Sequence, residues 1–413
     1  MRASRRAKTR LECETLEDRV TPATLTWTGA VDGLWSHVGN WTTTDVTHPV
    51  PQNGDAVVLP AGALNRTQSD DLGQLTLSSI TFNDIGYNLS GSLIDLGNIS
   101  VAPAGLMTGG DSIANDLVFV VTAPSDQATI DLGSARELLS LGGSVEVAGA
   151  GTLTVTSGGA GAALGVANLA VLATATLSIQ NTNATIFGQA AIYGVFAISG
   201  NSRVDIAPAA IVADAGTVSV NAGASLYIAG LVNVEAQNGT GGVLTNNGGL
   251  VLVESSGSLY VAVRIDNISG ELYIAGLTVL EQGSLLTQQT SAAFTVVAPG
   301  GELYVAWDMI GNNGAQLYVF GQVVVANNGN DGIGFYQYDG TIAIEAGGAL
   351  YAYGLVAIEA NSALYDYGTL ALEPNGYLYS ADLVVIEQGG VFYDYGTFAN
   401  FGTYYNFGHQ IGG

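Results

Sequence analysis

Apolar and polar residues alternate one for one in short runs of four to six along most of this chain, and glycines or small polar clusters separate the runs. The segments SLYIAG at 225–230, ELYIAG at 271–276, QLYVFG at 316–321, ALYAYG at 349–354, ALYDYG at 363–368 and VFYDYG at 391–396 are variants of one phrase. A period of two places successive side chains on opposite faces of a strand. Leu226, Ile228, Val232 and Val234 then share one face, while Tyr227, Asn233 and Glu235 share the other. In the unit beginning at Gly347 the same split gives Leu350, Ala352, Val356 and Ile358 against Tyr351, Tyr353 and Glu359. The aliphatic set reads as core and the Tyr and Glu set as surface. Dense β-branched residues and recurrent glycine argue against helices.

Tyrosines give the period. Tyr351, Tyr365, Tyr379 and Tyr393 recur at one constant spacing of fourteen positions, and each of Glu235, Glu281, Glu359, Glu373 and Glu387 follows its tyrosine by eight. The unit is strand, glycine turn, strand, polar turn. So short a unit cannot close a core alone and must stack on copies of itself. The expected fold is all-β, a parallel β-helix or β-solenoid with repeats of about 14 residues. The period alone leaves open whether one unit is a whole two-sided coil or part of a longer three-sided one.

Three segments are expected: a basic tail over 1–23, a Trp-containing β module over 24–100 that forms the N-terminal cap and first coils, and solenoid repeats over 101–413, most regular from 224 onward. Repeats override the two or three domains that 413 residues would otherwise suggest. The uncharged stretch between Glu146 and Arg203 includes Gly161–Ile179, which is long enough for a membrane span. Its Thr, Asn and Gly content favours buried strands instead, and no transmembrane segment is expected.

Charge narrows the function classes. The formal net charge is −25, and six of the ten Lys and Arg fall within the first nineteen residues. After Arg66 only Arg136, Arg203 and Arg264 remain, so the body is a polyanion that repels phosphate backbones and anionic membranes. Nucleic acid is therefore excluded as a partner of the body. The one cysteine, Cys13, permits no intramolecular disulfide.

Two resemblances add to this reading. LECETLEDRVTPA at 11–23 resembles the LE-x-LE-x-R-x-x-P motif at the N-termini of many predicted surface proteins of planctomycete bacteria, which implies an exported protein and an extracellular or cell-surface location. WTGAVDGLWSHVGNW followed by PQNGDAVVLPAG resembles the module that opens many autotransporter-associated β-strand and similar β-helix proteins. That likeness covers roughly seventy residues and implies that Trp27, Trp35 and Trp41 belong to a cap; the sharper alternative is a carbohydrate-binding aromatic platform.

Chemistry is sparse. His37, His48 and His409 have no second His or Cys at ligand spacing, no G-x-S-x-G elbow occurs, and Lys8 is the only lysine. SGGAGAALG at 157–165 lacks the spacing of a phosphate loop and reads as turns. Glu345, Glu359, Glu373 and Glu387 are the metal candidates: if one unit made one coil, these carboxylates would stack about 4.8 Å apart, where bound calcium would relieve their repulsion. Exposed glutamates splaying into water is the plainer account, and NNGNDGIG at 327–334 lacks the spacing of known calcium loops. No other cofactor is expected.

The expected function is a non-enzymatic structural or adhesive surface solenoid, with Tyr351, Tyr365, Tyr379 and Tyr393 as its interaction surface and a surface polysaccharide or other cell-surface component as partner. A carbohydrate-binding or carbohydrate-processing β-helix is the alternative, and self-association through the solenoid ends is a third. Finally, the inward position held by Ile228, Val261, Ile274, Val305, Val319 and Ala352 becomes Asp366, Ser380 and Asp394. Since burying an unpaired carboxylate costs several kcal/mol, the expectation is that the strand turns outward there or that the last coils wrap less core as a C-terminal cap.

Overall fold

The computed structural model describes residues 22–101, 111–133, 138–158, 162–237, 240–327 and 334–412. Nearly all of these lie in one continuous ladder of parallel strands wound into a β-solenoid of about 15 turns at about 22 residues per turn. In the regular part each strand pairs with the third strand before it and the third after it, so a coil has three sides.

The sequence unit is therefore not the coil. Along one face, Ala349–Ala352 pairs with Thr369–Leu372, which pairs with Val391–Asp394. Two coils thus carry the chain from Ala349 to Val391, and the same advance from Tyr351 to Tyr393 takes three sequence units. Each unit spans two of the three sides, and the tyrosine phrase visits the three faces in turn.

Alternation within strands is as the sequence predicts. Leu226, Ile228, Val232 and Val234 are buried, as are Leu350, Ala352, Val356 and Ile358. The stacked aliphatic rows form one hydrophobic core along the axis. Gly161–Ile179 lies within this pattern from residue 162 on, contributing the strands Ala163–Val171 and Thr176–Gln180. Among the described residues no helix is long and apolar enough to cross a membrane.

At the N-terminal end, Thr24–Trp27 pairs in parallel with Ala56–Leu59 and antiparallel with Trp41–Thr43. Trp27, Trp35 and Trp41 are buried and meet edge to face, with ring centroids 4.9 and 5.3 Å apart. Each indole N–H donates inward: Trp27 to the Asn65 carbonyl, Trp35 to Gln68 Oε1 and Trp41 to the Trp35 carbonyl. An open platform for sugar rings is not what they form; their faces are spent on one another.

Candidate functional site

The mismatch between sequence unit and coil decides what reaches the surface. Tyr351, Ala371 and Tyr393 are neighbours along one face, Tyr336, Ala357 and Tyr379 along the second, and Tyr318, Ala343 and Tyr365 along the third. Every second coil thus carries a small outward residue between two tyrosines. Ala343, Ala357 and Ala371 point outward yet are buried, because the flanking rings lie over them. Tyr351, Tyr365, Tyr379 and Tyr393 are themselves half-buried. An unbroken row of tyrosines, one per coil, does not exist.

The most accessible aromatics are one step further along the phrase, immediately before the turn glycine. Tyr353, Tyr367 and Tyr395 are 42%, 40% and 54% exposed, and Phe320 in the same position is 38% exposed. Two such aromatics pair with the strand tyrosine two residues back, Tyr395 with Tyr393 and Phe407 with Tyr405, and Tyr338 pairs with Tyr336 in the same way, each at 6.1 Å between ring centroids. These corner aromatics were legible as the residue preceding each glycine, but their prominence depends on the corner itself.

Glutamates share the corners with them. Glu345, Tyr367 and Glu387 follow successive strands of one face, and Tyr353, Glu373 and Tyr395 follow those of another. Glu359 occupies the third corner, one coil beyond Tyr338. The four glutamates consequently do not form one row at strand spacing. Only Glu345 and Glu387 share a corner, two coils or about 10 Å apart, with the Tyr367 ring between them. Burial first, then the charges of Glu387 and Glu345, push the Tyr367 phenol above its ordinary value. Among the described residues no three His, Cys, Asp or Glu side chains gather into a group fit to hold a metal ion. The NNGNDGIG turn lies largely outside the described residues.

One corner is hollowed. Where the chain enters the face that begins at Glu302, Gln322, Ala349, Thr369 and Val391, alternate coils make a long turn ending in two glycines and a short turn ending in an aromatic and one glycine. The resulting furrow, of about 890 Å³, crosses five coils. Glycine is required on its floor: a Cβ on Gly368 would stand 2.4 Å from the Gly348 carbonyl oxygen. Gly347, at the lip, has φ +89° and open space around it, so there conformation rather than crowding selects glycine.

The acidic substitutions in the core are a separate matter. Asp366 and Ser380 are fully buried and point inward. Ile344 and Ile386 stand in register on either side of Asp366, so the strand does not turn outward and this coil is not thin. Exposure of inward positions begins at Asp394, which is half-buried as a thinning last coil would leave it, and continues at half-buried Phe398 and Tyr404. Asp366 Oδ1 accepts the Gly368 amide at 3.0 Å, while Oδ2 has no hydrogen-bond partner. Burial pushes this carboxyl up to about 7, against the opposing effect of the Gly368 and Leu370 amides. Asp214, between Ile192 and Val234, repeats the arrangement with the Gly216 amide at 3.1 Å and is also pushed up to about 7 by burial. Asn400 and Asn406 make the same contact, to Gly402 and Gly408. The inward Asp is thus a turn-closing residue of the corner, an Asx turn.

His48 and Asp55 form a buried pair, Nδ1 to Oδ1 at 2.9 Å, and Asp55 also accepts the Ala23 and Gln52 amides. This pair ties the first coil to the loop before it.

No protein-family model matches the chain, and no curated protein matches it. Among solved structures it is similar to the crystal structure of a hyper-glycosylated TibA fragment, residues 55–350, glycosylated by TibC. The likeness spans 86% of this chain and 97% of that one at 14% identity and a TM-score of 0.26.

Proposed function

We propose that this chain is a non-enzymatic surface protein, a stiff solenoid rod with a structural or adhesive role that presents its corners and outer faces to cell-surface partners. The observation that carries the reading is the placement of exposed aromatics, Phe320, Tyr353, Tyr367 and Tyr395, at fixed positions along the rod. Aromatic rings with a polar tip give large contact area at low conformational cost, and a regular array suits repetitive partners. Tyr351, Tyr365, Tyr379 and Tyr393 belong to the same surface, adding the phenol edges that flank the corner rings. Calcium at Glu345 and Glu387 would have to bridge about 10 Å, which favours splayed, hydrated side chains at that corner. Protease treatment of intact native cells followed by fractionation tests the location. The rod should be cleaved from intact cells or recovered in the outer-surface fraction; a protein that stays protected and fractionates with the cytosol would refute the reading.

A further inference from the structure

The geometry points to the glycine-floored furrow as a binding site for a single strand of an uncharged, linear polysaccharide lying parallel to the solenoid axis. Phe320 and Tyr367 are its stacking anchors. They precede the strands Gln322–Val325 and Thr369–Leu372, which lie two coils apart with Ala349–Ala352 between them, so the two rings repeat at about 10 Å. A pyranose unit advances an extended glycan by about one coil step, so rings on alternate coils meet alternate sugars on the same side.

The rest of the furrow fits the same occupant. Its floor is backbone, because side chains are excluded where a Cβ would strike the next coil. Gln322, Thr369 and Gln388 line it with groups that can exchange hydrogen bonds with hydroxyls. Among the described residues Glu302 is the one charged side chain lining it, and Glu345 and Glu387 lie beside Tyr367, so uronates, sulfated glycans and phosphate backbones are repelled. A peptide is disfavoured for a different reason. Ala349–Ala352 is paired on both sides, by Gln322–Val325 and Thr369–Leu372, which leaves no strand edge to extend.

This inference rests on the surface reading only for access to the glycan, and the two fail separately. Affinity electrophoresis of the full chain in native gels containing hydroxyethylcellulose, laminarin, dextran or galactomannan is the test, with alginate as the anionic control. At least one neutral gel should retard the protein. Phe320→Ala with Tyr367→Ala should weaken that retardation at least tenfold, as should Phe320→Leu with Tyr367→Leu, which keeps apolar volume but removes the ring faces. Phe187→Ala with Tyr193→Ala, two exposed corner aromatics far from the furrow, should leave it unchanged. No retardation in any neutral gel, equal loss in the two corner variants, or retention by alginate would overturn the inference, while surface exposure in the cell assay would leave the broader proposal standing.

Discussion

Asp366→Asn should stabilise the coils around it at neutral pH and remove a pH dependence that the native protein shows. The Asp366 carboxyl is raised from an ordinary 3.8 to about 7 by burial. Because the folded state holds this proton more tightly than the unfolded state, its stabilising effect is complete below about pH 4, declines as pH rises, and is lost above about pH 7. A displacement of about 3 units at about 1.4 kcal/mol each gives an upper bound of about 4 kcal/mol. Asparagine keeps the acceptor for the Gly368 amide, as Asn400 and Asn406 do for Gly402 and Gly408, and carries no titratable proton. Its cost is an amide N–H₂ where Oδ2 stands, about 1–3 kcal/mol if unpaired, so the net gain at pH 8 is about 1–3 kcal/mol. Repeat proteins open locally, so hydrogen exchange of peptides spanning 341–394, corrected for intrinsic rates, is the suitable assay. Native protection should fall between pH 5 and pH 8, and the variant should be flat across that range and better protected at pH 8. Equal native protection at both pH values, or a variant less protected at pH 8, would refute the reasoning.

Other consequences follow from packing. Gly368→Ala should lower the melting temperature markedly, because its Cβ would meet the Gly348 carbonyl at 2.4 Å, whereas Gly347→Asn at the open lip should be nearly neutral. Ala371→Tyr should destabilise by about 1–3 kcal/mol in thermal or denaturant unfolding, since Tyr351 and Tyr393 already fill the space over that position. Trp35→Ala should cost about 3–5 kcal/mol through the cavity it leaves, and iodide should barely quench the fluorescence of the Trp27, Trp35 and Trp41 cluster in the native protein.

Period-two alternation was legible because a strand's faces are fixed by geometry alone, and Leu226, Ile228, Val232 and Val234 lie where that rule puts them. Coil length was not, since a self-similar sequence reports the repeat of its strands and turns and not how many sides close the core. Three sequence units filling two coils make a Tyr–Ala–Tyr alternation along each face, and they split among three corners the four glutamates that would have stacked had one unit been one coil. Asp366 stands out in the sequence from its inward phase. That it stays inward depends on a backbone amide two residues on, a contact only the folded corner supplies. The three tryptophans gave no such signal, because a buried cluster and an exposed platform can share one spacing.

The phase between sequence unit and coil is the claim on which the surface geometry depends, and paired cysteines test it directly. In a Cys13→Ser background, Tyr351→Cys with Ala371→Cys places two thiols on laterally paired residues of adjacent coils, within the range a disulfide spans. Tyr351→Cys with Tyr365→Cys places them on different faces, in strands that do not pair. Mild oxidation should cross-link the first pair and leave the second reduced. Ready cross-linking of the 351/365 pair with none for 351/371 would mean that one sequence unit is one coil, and would contradict the account.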